Sequence, residues 1–281
     1  MDKPEVLFMA LDLLGEGPVY DPRQDELYWV DIKGKRYHRF NLKSEELKTF
    51  SVPGQISSIA LGKAEKIYAT MEHAMYSISR DGTPVTMGTL PLEPEERFND
   101  GKAAPMGYYV AGTMDMNETH PIGSLYSFDG KGFRKIAENM TISNGLAWDE
   151  GRRIFYHIDT PRRRVDAYSY TEDMELTHLG IAADISSEEG VPDGMCISED
   201  GTIFVSHWGG GKVSIWDPQT KRKLDEIRFP AKNITCCTFG GKENHRLFVT
   251  SASAGPDDSS GGSLYSVDTE FRGGKQFRLN F

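Results

Sequence analysis

The sequence of 281 residues lacks the features that mark several large classes of protein. It has only three cysteines, two of them adjacent, which gives no basis for a disulfide framework. It has no run of about 18 apolar residues, so no transmembrane helix is expected. Its first residues lack the basic and apolar regions of a secretory signal. We therefore expect a cytoplasmic protein.

Basic residues are in the minority, with 32 Lys and Arg against 42 Asp and Glu, for a net charge of −10. Binding to nucleic acid or to an anionic membrane depends on basic patches, so neither partner is expected. The sequence also has no Gly-x-Ser-x-Gly elbow, no His-Glu-x-x-His pair and no phosphate-binding P-loop. These absences argue against several common hydrolase and nucleotide-binding sites.

One pattern recurs six times: a small or polar anchor residue, a short apolar run, and further strand-like runs separated by turns. The anchors lie 42, 42, 44, 49 and 43 residues apart and are Glu16, Ser58, Asp100, Asn144, Asp193 and Cys236. A period near 44 is typical of a four-stranded propeller blade. We predict an all-β, six-bladed β-propeller with four antiparallel strands per blade, formed by residues 1–281 as one domain. Residues 6–13 or 276–281 are expected to complete the last blade.

A β-sandwich is the alternative architecture, but it does not require a fixed period. In a propeller, the first strand of each blade lines the central channel, so equivalent anchors converge at one level. Four of the six anchors carry a carboxylate or a carboxamide. Ionised acids in one narrow space repel each other, and a divalent cation with oxygen ligands resolves that conflict. Glu16, Asn144 and Asp193 are the predicted ligands, with coordination positions left for water or substrate.

Other interpretations of these residues stay open at this point. Asn-Gly and Asp-Gly pairs usually mark turns, and only the register shared with Glu16 favours a site for Asn144 and Asp193. Asp100 is expected to contact the metal ligands or the substrate, whereas Cys236 is expected to be a small buried filler. His157 and His207 are expected to be hydrogen-bonded histidines at strand ends, and as ligands they would suit zinc or iron.

Five motifs in order resemble those of the senescence-marker-protein/regucalcin/gluconolactonase family of six-bladed propellers. The resemblance covers the chain from about residue 8 to its C-terminus. The motifs are Leu14-Gly15-Glu16-Gly17-Pro18-Val19-Tyr20-Asp21-Pro22, Arg97-Phe98-Asn99-Asp100-Gly101-Lys102, Ala111-Gly112-Thr113-Met114, Ile142-Ser143-Asn144-Gly145-Leu146-Ala147-Trp148 and Val191-Pro192-Asp193-Gly194-Met195.

The resemblance implies a metal-dependent sugar lactonase of the gluconolactonase type, a hydrolase of carbohydrate metabolism. Glu16, Asn144 and Asp193 match the family's metal ligands, and the cofactor would be one divalent ion: Ca, Zn, Mg, Mn or Fe(II). Arg97 and Asn99 match residues that bind substrate. The family often has an acidic residue after the Gly-Thr-Met turn, where this sequence has Asn117 with Glu118 adjacent.

A mechanism follows from these roles. The cation is expected to polarise the lactone while Asp193 orients or deprotonates the attacking water. The expected partner is a small-molecule sugar lactone, and the sequence makes no prediction of oligomeric state. The alternatives are an organophosphate or aryl-ester hydrolase on the same metal site, a luciferin-regenerating role, and a calcium-binding propeller without enzymatic activity.

Overall fold

A computed structural model describes residues 3–63, 65–255 and 258–281. These residues form six four-stranded antiparallel sheets, and the predicted six-bladed propeller is confirmed. In chain order the strands are β1 (Glu5–Phe8), β2 (Gly15–Asp21), β3 (Glu26–Asp31), β4 (Arg36–Asn41), β5 (Glu46–Ser51), β6 (Ile56–Leu61), β7 (Ile67–Met71), β8 (Ala74–Ile78), β9 (Pro84–Thr89), β10 (Glu96–Ala103), β11 (Tyr109–Asp115), β12 (Gly123–Phe128), β13 (Phe133–Met140), β14 (Ser143–Asp149), β15 (Ile154–Asp159), β16 (Arg164–Tyr170), β17 (Leu176–Asp184), β18 (Val191–Ile197), β19 (Ile203–Trp208), β20 (Lys212–Asp217), β21 (Arg222–Arg228), β22 (Asn233–Gly240), β23 (Arg246–Ala252) and β24 (Leu264–Asp268).

Burial follows the position of each strand within its blade. The first strand β6 and the second strand β7 are buried along their whole length, whereas the fourth strand β5 alternates between exposed and half-buried residues. This is the pattern of a sheet whose inner strands are covered on both faces and whose outer edge meets water. The sequence did not reveal β17, the fourth strand of blade four, because its apolar residues are interrupted by His178 and Gly180. That residues 1–281 form one domain stays a prediction.

The N-terminal segment closes the ring. The sixth blade has the order β1-β24-β23-β22, so β1 supplies its outermost strand. Val6 pairs with Tyr265 in that strand ladder. The prediction that the segment around residues 6–13 completes the last blade is therefore confirmed for its first part. The alternative, residues 276–281, is wrong because the edge of β24 is already occupied by β1.

The C-terminal segment instead crosses the end of the channel at which the first strands finish. The backbone N–H of Leu279 donates to Leu61 O at 2.9 Å, and Asn280 N–H donates to Gly107 O at 3.0 Å. The Tyr68 hydroxyl donates to Phe281 O at 2.6 Å. Leu279 is fully buried. This tail therefore covers the lower end of the channel, opposite the end where the anchors lie.

The one short helix in the described residues is a 3₁₀ turn at Thr160–Arg162, between β15 and β16. None of the helical residues described forms a segment that is long and apolar enough to cross a membrane.

Candidate functional site

A β-bulge lies beside the anchor of every blade, at the start of the first strand. In blade four, Ser143 pairs with Asp159 and Leu146 with His157, so two residues of β14 oppose one residue of β15. The same register shift occurs in the other five blades. A bulge bends its strand and redirects a side chain. Each anchor therefore lies where the regular alternation of its strand is interrupted.

The glycines that follow two anchors allow the first strands to approach each other closely. A Cβ at Gly194 would lie 2.3 Å from Cys236 Sγ, and one at Gly145 would lie 2.7 Å from Asp193 O. Neighbouring first strands therefore leave no space for a side chain at these positions. Both Asx-Gly pairs lie within strands, so the turn interpretation of Asn144 and Asp193 is wrong.

Three acidic side chains, Glu16, Asp100 and Asp193, are buried around the channel, with exposed fractions of 7%, 4% and 6%. Burial raises the pKa of Glu16 well above its ordinary value, and the charges of Asp193 and Asp100 raise it further. Burial, followed by the charge of Asp100, also raises the pKa of Asp193 well above its ordinary value. Burial also raises the pKa of Asp100. The charges of Asp193 and Asp100 therefore act on Glu16, and the charge of Asp100 acts on Asp193, as expected of acids that share a narrow space.

Local hydrogen bonds orient the predicted ligands. The backbone N–H of Gly17 donates to Glu16 Oε2 at 2.8 Å. Asn144 Nδ2 donates to Thr160 Oγ1 at 3.1 Å, and Thr160 Oγ1 in turn donates to Pro192 O at 2.9 Å. Because its amide nitrogen is engaged in this way, the carbonyl oxygen of Asn144 is the atom available to a cation. A hydrogen bond from Asn144 also lowers the pKa of Asp193.

One buried acceptor at the site is left without a donor. Asp100 Oδ1 accepts from Gly101 N–H at 2.7 Å, but Asp100 Oδ2 is buried without a partner among the described residues. Such an atom is costly unless a ligand or an ion satisfies it. The donor set, rich in carboxylate and carboxamide oxygen, therefore fits a hard divalent cation.

Within the described ranges, no group of three or more His, Cys, Asp or Glu side chains is close enough to hold a metal ion. The predicted set has only two residues of those types, Glu16 and Asp193, and its third member is the amide of Asn144. The distances among these described residues therefore do not themselves define a coordination shell.

Arg97 and Asn99, the predicted substrate-binding pair, lie together beside the acidic residues. Arg97 Nη1 donates to Phe98 O at 2.8 Å and to Asn99 Oδ1 at 3.1 Å. Asn99 Nδ2 donates to Ser143 O at 2.9 Å, which ties this strand to the first strand of the next blade. Arg97 is 9% exposed, and burial lowers the pKa of its guanidinium. A buried guanidinium near carboxylates is suited to holding polar oxygen atoms.

Asn117 and Glu118 lie on the loop between β11 and β12, and both are exposed. Asp115 holds this loop, because its carboxylate accepts from the backbone N–H groups of Asn117, Thr119 and His120. Glu118 has a φ of 59°, and its charge raises the pKa of both Asp193 and Arg97. The structure therefore brings Glu118 to the rim of the site. Among the residues that the structure describes, the side chain of Asn117 makes no hydrogen bond to Arg97, Asn99 or the three acidic residues.

The two histidines have hydrogen-bonding roles within their blades. His157 Nε2 lies 2.8 Å from Ser143 Oγ, and His207 Nε2 lies 2.7 Å from Ser214 Oγ. Burial lowers the pKa of His157 to about 3 and that of His207 to about 4, so both rings are neutral at physiological pH. The expectation of hydrogen-bonded histidines agrees with these contacts. Cys236 is fully buried, as expected of a filler.

Sequence reasoning missed Lys102. It lies two residues after Asp100 on β10, and its ammonium donates a hydrogen bond to Met195 O of β18. The charge of Lys102 lowers the pKa of Asp100 and of Glu16. The available signal was its spacing from the anchor, because residues two apart on a strand share a face.

Comparison with known proteins identifies the family. A family model describing the SMP-30/Gluconolactonase/LRE-like region matches residues 14–253. Regucalcin from Oryctolagus cuniculus is 34% identical over 256 residues, which cover 88% of this chain and 85% of that protein. A putative sugar lactone lactonase, YvrE, from Bacillus subtilis is 32% identical over 245 residues, which cover 85% of this chain and 84% of that protein.

A solved structure, described as a calcium-binding protein, regucalcin, from Agrobacterium tumefaciens, has a similar fold. Its TM-score is 0.91 at 25% identity, and the alignment covers 98% of this chain and 96% of that chain. The fold, the order of the motifs and the extent of these matches agree. The chain belongs to the SMP-30/gluconolactonase/LRE-like family.

Proposed function

We propose that the chain is a divalent-metal-dependent hydrolase that opens a sugar (aldono-) lactone, such as gluconolactone, to the sugar acid. One observation carries this proposal: Glu16, Asp100 and Asp193 are buried, and with Asn144 they lie beside the bulges at the start of four first strands, near the buried Arg97. Membership of a family that includes gluconolactonases supports the same reaction class.

Glu16, Asn144 and Asp193 would hold the cation through their side-chain oxygen atoms. When bound, the ion supplies Lewis-acid polarisation of the lactone carbonyl. Calcium, zinc, magnesium, manganese and ferrous iron all accept such ligands, so the donor set alone does not select one of them. The regucalcin relatives and the calcium-binding regucalcin structure support a divalent ion.

The protein's own residues would position the substrate and move a proton. Asp193 accepts the proton of the attacking water as the new C–O bond forms, and it returns that proton to the ring oxygen as the ring C–O bond breaks. Arg97 has five N–H donors, more than its contacts with Phe98 O and Asn99 Oδ1 use, so the guanidinium also has donors for substrate oxygens. Glu118, at the rim, and its neighbour Asn117 would contact the sugar hydroxyls.

The test is proton release from a panel of aldonolactones, together with an aryl ester and an organophosphate. The protein is first treated with a chelator, each divalent ion is then added back separately, and spontaneous hydrolysis is subtracted. The matched variants are Asp193→Ala and Asp184→Asn, the latter an exposed residue at the outer edge of blade four. Metal-dependent turnover of a lactone, lost in Asp193→Ala and kept in Asp184→Asn, is the expected result.

Other outcomes identify the alternatives. Turnover of only the ester or the organophosphate would assign the site to that second hydrolase class. An ion that raises Tm without turnover of any substrate would assign a calcium-binding propeller without enzymatic activity. Full activity in Asp193→Ala would remove the proposed base. The cytoplasmic location and the role in carbohydrate metabolism stay predictions that accompany this proposal.

A further inference from the structure

The side chain of Lys102 crosses the central channel. Lys102 lies on β10 in blade three, and its ammonium reaches Met195 O on β18 in blade five, past the first strand of blade four. Met195 follows Asp193 by two residues, just as Lys102 follows Asp100. The ammonium therefore lies one layer below the carboxylates of Glu16, Asp100 and Asp193, which we call the acidic ring.

The groups next to the ammonium are thiols that act as hydrogen-bond donors. Cys237 Sγ lies 3.6 Å from Phe204 O, and Cys236 Sγ lies 3.9 Å from Cys237 O. Both contacts have the geometry of a thiol that donates to a carbonyl, which is a neutral group. A hydrogen bond from Cys196, whose Sγ lies 3.4 Å from Cys237 Sγ, and then the charge of Lys102 lower the pKa of Cys237. The carboxylates are the other counter-charges of Lys102, because its charge also lowers the pKa of Asp100 and of Glu16.

A buried ammonium is unfavourable for folding unless its charge is compensated. The lower channel around Lys102 is lined mainly by apolar groups, among them Ala60, Leu146 and Phe277. A methionine of similar length would suit that environment better than a lysine. The positive charge of Lys102 is therefore explained by the acidic ring directly above it.

We propose that Lys102 sets the net charge of the acidic ring so that the ring matches a divalent rather than a trivalent cation. Counted as three carboxylates and one ammonium, the ring and Lys102 together carry a formal charge of −2, whereas the ring alone carries −3. This inference rests on the proposed metal-dependent function and adds a charge-selecting residue to it. Lys102 touches neither substrate nor ion and acts through the field that it imposes on the ring.

The test compares Ca²⁺ with Tb³⁺, an ion of similar size but higher charge whose luminescence reports binding directly. Lys102→Met removes the charge and keeps the length of the side chain, and Lys102→Arg keeps the charge as the conservative control. Dissociation constants for both ions are measured on folded, chelator-treated protein. In Lys102→Met the preference for Tb³⁺ over Ca²⁺ should rise by about tenfold or more, because the trivalent ion loses one additional unit of repulsion. Lys102→Arg should keep the wild-type ratio.

Two further variants keep the inference falsifiable. Lys102→Gln retains a donor for Met195 O and must show the same rise if Lys102→Met does not fold. Asp100→Asn removes one charge of the ring and should lower the preference for Tb³⁺. A purely structural lysine would change Tm and both affinities together but would leave their ratio unchanged.

The failures of the two proposals are distinguishable. If wild-type protein binds both ions and the ratio is unchanged in Lys102→Met or Lys102→Gln, the charge-selecting role is overturned while the lactonase proposal stands. If wild-type protein binds neither ion, the metal centre itself is wrong and this inference fails with it.

Discussion

Replacing Asp193 by Asn is expected to stabilise the metal-free protein at neutral pH while it removes the proposed catalytic base. The pKa of Asp193 in the folded chain is raised well above its ordinary value by burial and by the charge of Asp100. In the unfolded chain the pKa returns to about 3.9. Between those two values the folded state binds more protons than the unfolded state, so the free energy of unfolding falls as pH rises through that window.

The magnitude follows from proton linkage. Each pH unit over which the folded chain holds one additional proton lowers the free energy of unfolding by about 1.4 kcal/mol. Asn does not titrate, and its amide can keep the contact with Asn144. At about pH 7 the metal-free variant should therefore have the higher free energy of unfolding, by about 1.4 kcal/mol for each pH unit over which the folded wild type keeps the additional proton. For a chain of 281 residues each such step corresponds to a rise in Tm of about 2 °C.

The assay is thermal unfolding of chelator-treated protein at several pH values from about 4 to about 8. The control is Asp166→Asn in blade four, a buried carboxylate that accepts from Arg164 Nε at 3.0 Å and lies 2.9 Å from His178 Nε2. Loss of that paired carboxylate should lower the free energy of unfolding. The same Asp→Asn substitution should therefore change stability in the opposite direction at Asp166 and at Asp193. If metal-free Asp193→Asn is less stable than wild type at neutral pH, the reasoning about the acidic ring is refuted. Lactone turnover by the same variant should be abolished.

Three further outcomes are expected. Gly194→Ala should lower the free energy of unfolding by about 1–3 kcal/mol in urea titrations, because its Cβ would lie 2.3 Å from Cys236 Sγ, whereas Gly132→Ala, with no atom within 4 Å, should have no effect. Leu279→Ala should lower it by about 2–5 kcal/mol, because Leu279 is fully buried, while kcat is kept; an unchanged Tm would contradict its role in covering the channel. Arg97→Lys should raise KM for the lactone by about tenfold with little change in Tm, since an ammonium cannot reproduce the geometry of a guanidinium, and an unaltered KM would exclude the substrate role.

The sequence predicted the propeller and the anchors because both depend on repetition. Each blade must bury the same inner strand against its neighbours, so residues at equivalent positions recur with a nearly constant spacing. That spacing placed Asn144 and Asp193 in register with Glu16, although each on its own resembles a turn. The structure confirms the fold, and it brings Glu16, Asp100 and Asp193 close enough that their charges interact.

Three features could not be predicted from the sequence because each depends on contacts between distant parts of the chain. The bulge beside each anchor is a shift in pairing between two strands, and neither strand encodes it alone. The choice between the two termini for closing the last blade depends on which one pairs with the free edge of β24. The hydrogen bond from Lys102 to Met195 O joins residues 93 positions apart in the sequence.

The acidic ring is difficult to explain as a device for folding. Small or apolar residues at those bulges would cost nothing in desolvation, and Ser58 and Cys236 show that the same repeat positions accept small side chains in other blades. The chain instead buries three carboxylates whose pKa values are all raised, and it leaves Asp100 Oδ2 without a donor among the described residues. The positive charge of Lys102 reduces the cost of burying these three carboxylates but does not remove it. Buried carboxylates destabilise the folded chain without a cation and become favourable when a cation binds beside them. The instability of the metal-free acidic ring and its proposed function therefore have the same cause.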